Sequence, residues 1–330
     1  ECFDVLILTY CESCSIPGMR RELVLCCFLP QLSVPGLKRP QAKSRRKGFH
    51  FWRSGIMSKA PKAFEWPQVA DPQPTSRVVS SPKDWREESL LVPHEALRWW
   101  GREVSKVLDE FDPVSRSTCV WKTKIFFDFL ESYYIPCVHH HHDSEEKIYN
   151  VHIMRKCEAQ GIPNPFDFIK KEHQELLSKL EKIMGYRTAF EKQDSQASKA
   201  LVEFKQEFKD LLRFMDDHLA EEERSYPKIL LDCGFTEEDE KQAVGEILQS
   251  LGLDGNKRLL PAILYAMCIW KGKEKMQQWY AESVPPPIKM LCDNCWIDDF
   301  YQNQIRVLEA LQQEEEFQLQ APSCNICSLM

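Results

Sequence analysis

Residues 138–149 read V-H-H-H-H-D-S-E-E-K-I-Y, and within them His141 and Glu145 stand four apart. On an α-helix that spacing stacks the two side chains on one face, about 6 Å apart at Cβ. The phrase recurs at 218–226 as H-L-A-E-E-E-R-S-Y, with His218, Glu222 four later and Tyr226 four after that, as Tyr149 follows Glu145. Each phrase has a lone histidine upstream: His94 in P-H-E-A-L-R, 47 residues before His141, and His173 in E-H-Q-E-L-L, 45 before His218. Two copies of one helix pair are therefore expected, each with a His on its first helix and an HxxxE on its second.

Four apolar seams carry these residues. The first helix is expected to start near Pro93, with His94, Leu97, Gly101, Val104, Leu108 and Phe111 facing inward. The second, from about Trp121 to Asn150 with a kink at Pro136, has the seam Phe127, Leu130, Tyr134, Val138, His141, Glu145 and Ile148. The third follows the G-I-P-N-P loop with Phe166, Ile169, His173, Leu176, Leu180 and Ile183. The fourth, from about Ser198 to Leu231, has Leu201, Phe204, Phe208, Leu211, Met215, His218, Glu222 and Ile229. Four such seams predict an all-α fold, an up-down four-helix bundle over residues 85–235 with the marked side chains meeting in its core. Helices near 236–251, 258–270, 273–283 and 298–315 form a C-terminal helical extension, its path broken by the prolines at 285–287.

The rest of the chain sets limits. Its 330 residues suffice for a full core, 43% apolar and 28% charged is ordinary for a globular protein, and glycine is scarce at 12. A net charge of −7 argues against broad nucleic-acid binding, and no apolar run reaches the roughly 20 residues of a membrane span. The 14 cysteines are scattered, with no signal peptide, and read as reduced intracellular thiols. Residues 1–56 hold 9 Lys/Arg against 4 Asp/Glu, whereas the remainder has 34 against 46. With Met57 as the first plausible start, that segment reads as a disordered arm or an over-extended gene model. Residues 57–84, rich in Pro, Ser and Gln, read as a linker that reaches the bundle, and 316–330 as a tail.

A lone histidine on an apolar helix face is usually a core residue. Four of them, one per helix, with Glu145 and Glu222 buried beside them, form a different pattern, because two unpartnered buried carboxylates would be prohibitive. A dication resolves that cost, with Glu145 and Glu222 bridging and neutral imidazoles of His94, His141, His173 and His218 filling the remaining positions. The alternative register, His142 with Glu146, has the weaker seam of Ile135 and Asp128, so His139, His140 and His142 are expected outside the ligand set, as outer or solvated residues. His152 lies beyond the site. No Glu-x-x-His of the ferritin type occurs. Six nitrogen-rich ligands on four helices suit two metal ions, and iron above zinc.

The pattern of His94, His141-x-x-x-Glu145, His173 and His218-x-x-x-Glu222 resembles the hemerythrin-like (HHE) cation-binding domain in its divergent eukaryotic form, over about residues 85–235. The resemblance implies two iron ions, oxo- or hydroxo-bridged, that bind oxygen, sense iron, oxygen or redox state, or handle iron and nitric oxide. Oxygen carriers of the family have a fifth His four residues after the third-helix His, where this chain has Leu177. That departure favours sensing or iron handling over reversible oxygen carriage. A di-iron oxidase or peroxidase and a metal-free structural bundle are the competing readings. Outside the bundle, C-D-N-C at 292–295 and C-N-I-C at 324–327 read as two unrelated surface pairs rather than one zinc site. The final C-S-L-M, from Cys327 to Met330, fits a prenylation pattern without an upstream polybasic stretch. A cytoplasmic protein is expected, membrane-associated only if Cys327 is prenylated.

Overall fold

The computed structural model describes residues 64–112, 120–166, 169–192 and 197–313, all within one unit, Pro61–Met330. The basic N-terminal segment, the 324–327 cysteine pair and the Cys327 tail lie outside the described residues. Among the described residues every regular element is helical.

Helix α1 spans Trp85–Glu110. It starts eight residues before Pro93, because Asp84 caps it by accepting from the Arg86 N–H and Glu87 and Glu88 complement its first turn. A second rod is built of α2 (Val120–Phe129), α3 (Ile135–Ser144) and α4 (Asn150–Ala159), joined by π-helical turns at Leu130–Tyr134 and Glu145–Tyr149. The first π-turn precedes Pro136, which has no N–H to return to the Ser132 carbonyl; the Arg258 guanidinium donates to that oxygen instead, at 3.2 Å. The second π-turn adds a residue to the inward face. It buries Tyr149 and leaves Ile148 half-exposed, so the expected seam at Ile148 is corrected by one position. Helices α5 (Ile169–Gly185), α6 (Arg187–Lys192) and α7 (Ala197–Asp232) complete this part.

Packing follows the seams. α1 lies against α7 and α9, and α5 lies against α7. Phe111, Phe126, Phe127, Phe190, Phe204 and Phe208 form a buried aromatic layer beyond one end of the marked histidines. Rings there meet mostly edge-on or tilted at centroid separations such as 5.0 Å for Phe111 and Phe126, the arrangement their quadrupoles favour.

The extension comprises α8 (Glu237–Ser250), α9 (Gly252–Trp270), α10 (Lys273–Ser283), α11 (Pro286–Leu291), α12 (Ile297–Phe300) and α13 (Arg306–Leu311). Thr236 and Asp239 form a reciprocal capping box that opens α8. α9 begins six residues before the expected Arg258. The prolines at 285–287 start a helix as well as interrupting one, with Pro285 at the N-cap and Pro286 in the first turn. Cys292 is buried on a π-turn rather than placed at the surface.

Residues 64–84, expected as a linker, are tied down. Thr75 donates to Glu95 through both its N–H and its hydroxyl, Ser76 donates to Glu223, and Arg77 pairs with Asp217. Phe64 packs against Trp66, Tyr265 and Tyr301.

Candidate metal centre

Each long helix delivers its marked residue to one buried spot. α1 brings His94, and α3 with the turn after it brings His141, His142 and Glu145. α5 brings His173, and α7 brings His218 and Glu222. All but His141 are at most 6% exposed, and the His141 side chain is 7% exposed.

The donors fall into two groups that share Glu145: His94, His141, Glu145 and Glu222; and His142, His173, His218 and Glu145. In each, one ligand atom per residue lies within 4.8 Å of every other. Bonds of about 2.1 Å around one cation would place neighbouring donors about 3 Å and opposite donors about 4.2 Å apart, so each group has the right span. The carboxylates are turned to serve both groups. Glu145 Oε1 lies 3.4 Å from His141 Nε2 and 3.9 Å from His94 Nε2, while its Oε2 lies 3.8 Å from His173 Nε2. Glu222 Oε2 lies 3.4 Å from His94 Nε2, while its Oε1 lies 3.2 Å from His218 Nε2 and 3.8 Å from His173 Nε2.

Chemically the cluster fits a cation. The Nε2 atoms of all five histidines, Glu145 Oε2 and both Glu222 oxygens are buried without a hydrogen-bond partner. Leaving one such atom unsatisfied costs about 1–3 kcal/mol, and a cation held among these eight would satisfy them together.

Three imidazoles are held from behind by carboxylates on other helices. Glu223 accepts at 2.9 Å from His94 Nδ1, Glu146 at 2.8 Å from His173 Nδ1, and Glu172 at 2.8 Å from His218 Nδ1. This contact fixes the tautomer with Nε2 as the free donor and makes the ring a stronger ligand. Glu223 is itself gripped by Arg98, at 2.7 and 3.2 Å. Burial opposes its charge, but His94 and Arg98 hold its pKa down to about 2.

The field inside is mixed. Burial disfavours charge on His94, yet Glu145 and Glu223 outweigh it and hold its pKa up at about 9. His218 rises likewise to about 10, burial being overcome by Glu222 and Glu172, and His173 is raised against its burial by Glu222 and Glu145. His141 and His142 go the other way: burial, then the neighbouring imidazoles, push them well below the usual range. Burial and Glu222 lift Glu145 to about 7, whereas Glu222 is held well below the carboxylate range because His218 and His173 overcome its burial.

Residues 88–230 match the family model described as the hemerythrin HHE cation binding domain. This stretch is a hemerythrin HHE domain. No curated protein and no solved structure matches the chain significantly. The HHE domain begins on α1, ends on α7, and leaves α8–α13 outside it.

The structure brings together His94, His141, Glu145, His173, His218 and Glu222, the six residues singled out from the sequence. It corrects His142, expected as outer or solvated. His142 is 3% exposed, with its ring 4.4 Å from that of His173 and 5.2 Å from that of His218. His141 turns towards α1, its ring 5.1 Å from that of His94 and 5.0 Å from that of His142. Adjacent helical residues point about 100° apart, and the α3 seam runs between the two rings. The HHE domain therefore presents five imidazoles although Leu177 occupies the third-helix position. His139 is exposed, His140 is half-buried, and His152 lies away from the cluster, bonded to Glu246 at 2.9 Å. Glu146, Glu172 and Glu223 were missed, although each is the chain neighbour of a cluster residue: Glu145, His173 and Glu222. The Glu145-Glu146 and Glu222-Glu223 doublets, and the Glu172 that directly precedes His173, were the available signal. Cys292 and Cys295 belong to neither donor group.

Proposed function

We propose that the HHE domain is an up-down four-helix bundle, formed by α1, the α2–α4 rod, α5 and α7, that holds two iron ions. In this reading His94 and His141 serve one ion, His142, His173 and His218 serve the other, and Glu145 and Glu222 bridge them. What carries it is the way both buried carboxylates turn one oxygen towards each imidazole group. The nitrogen-rich donor set supports iron over a hard oxygen-seeking cation.

Bound iron would supply one-electron redox chemistry and affinity for small ligands such as oxygen or nitric oxide. The protein's part is to keep the Nε2 lone pairs of His94, His173 and His218 aimed inward through Glu223, Glu146 and Glu172, and to close one end of the site with the aromatic layer. We assign the domain to sensing or handling of iron, oxygen or redox state. The fifth imidazole comes from His142 on the α2–α4 rod and not from the third helix, where Leu177 stands, so the donor set differs from that of the family's oxygen carriers.

The test is metal content of the full chain purified from iron-supplemented cells, with about two irons per chain expected. Substituting Glu145→Gln together with Glu222→Gln removes both bridging charges and should abolish loading. Undiminished iron in that double variant would refute the assignment.

A further inference from the structure

A cavity of about 520 Å³ lies between α1, α3, α8, α9 and α10, and its lining includes His141 and Glu145. Its walls are Leu90 and Leu97 of α1, Leu248 of α8, Ile263 of α9 and Trp279 of α10. Three of those five helices belong to the extension, outside the HHE match at 88–230.

We propose that this cavity binds an uncharged, largely apolar organic molecule whose inner end lies at His141 and Glu145. Four observations carry this. The volume falls within the range of about 300–1,000 Å³ in which small-molecule sites lie, and the lining is mostly hydrocarbon with a few convergent polar groups, the usual composition of such a site. Polar groups stand at the cluster end: beside His141 and Glu145, the Tyr149 hydroxyl donates to buried Glu240 at 2.6 Å. Glu88 and Glu237 on the lining are paired with Lys271 and Lys241, while Glu145, Glu240 and Glu282 leave an acidic excess, so an anion such as a fatty acid is disfavoured. Finally, the cavity reaches His141 and Glu145 but not His142, His173 or His218. It therefore meets the donor group that has two imidazoles, through His141, with His94 and Glu222 outside its lining. The inference goes beyond the di-iron reading and stands whether or not iron is the resident cation.

The experiment uses the full chain, with and without iron, titrated with Nile red, an uncharged apolar dye that brightens when removed from water. One saturable site per chain is expected. Val244→Trp, on the half-buried lining of α8, should weaken binding at least tenfold while iron content is unchanged. Gly245→Phe is the second filling variant, since a Cβ at Gly245 meets no atom within 4 Å and the position tolerates a side chain. It decides the matter if the Trp variant does not fold. No saturable binding by the native chain, or equal binding by the native chain and a folded filled variant, would overturn the proposal. Iron content, measured on the same samples, reports separately on the di-iron reading.

Discussion

Replacing His142 by leucine should change stability in opposite directions with and without metal. In the metal-free protein His142 is 3% exposed, held neutral by burial and by its imidazole neighbours, and its Nε2 has no partner. Leucine is of similar volume and brings no polar atom. His142→Leu removes an unsatisfied group that costs about 1–3 kcal/mol and leaves no large void. The metal-free variant should therefore melt higher than the native chain, by about 3–6 °C if the gain is about 1.5 kcal/mol in a domain of this size. With metal the order reverses. A cation at 100 times its dissociation constant stabilises the native chain by about 2.7 kcal/mol. Losing one of three imidazoles on its side should forfeit most of that. The assay is calorimetric melting of chelator-treated and anaerobically Fe(II)-loaded samples, with metal content measured in each. If the variant keeps two irons and the same metal-induced rise in Tm, His142 is not a donor. If the metal-free variant melts lower by several degrees, the imidazole is satisfied in the native fold and the reasoning about its Nε2 is wrong.

Three further outcomes follow from the same geometry. Metal-free stability should fall as pH rises from about 6.5 to 10. His94 and His218 have folded pKa values of about 9 and 10 against 6.5 unfolded, so their contribution is complete below 6.5 and lost as pH rises through the folded values. Below 6.5 the depressed His141 and His142 oppose folding, because the unfolded chain takes up protons there that the folded one refuses; urea titrations should thus show a maximum near pH 6–7. Glu223→Gln weakens the acceptor behind His94 Nδ1 and leaves Arg98 with Glu95 and Asp216, so metal affinity should drop about 10–100-fold in competition with a chelator, and unchanged affinity would show that the contact orients nothing. Glu146→Gln acts on His173 in the same way but at a more exposed carboxylate, and should cost less.

Periodicity located the four helices and six of the cluster residues because His94, His173 and His218 sit on seams that a regular helix keeps in register. It failed where the helix is irregular. A period of 3.6 admits one of two adjacent residues to a seam, so choosing His141 excluded His142, whereas α3 is placed so that the rings straddle the seam. The π-turn at Glu145–Tyr149 likewise exchanged Ile148 for Tyr149, and hydrophobic spacing carries no mark of a π-turn in advance. Pro93 was read as a start signal, yet Asp84, Glu87 and Glu88 made a stronger one upstream. The cavity lined by α8–α10 was invisible because such a wall is ordinary apolar sequence until its partner face is known.

The carboxylates behind the imidazoles have a consequence for motion. His94 on α1 is held from α7, His218 on α7 from α5, and His173 on α5 from the turn that follows α3. The helices are thus cross-braced in a chain, each brace ending on a ring that aims at the centre. A helix that slid by one turn, about 5.4 Å, would pull its brace off a neighbour's ring and swing that lone pair away. Sliding one helix against its neighbour and misaiming the imidazole that its carboxylate holds are thus a single motion.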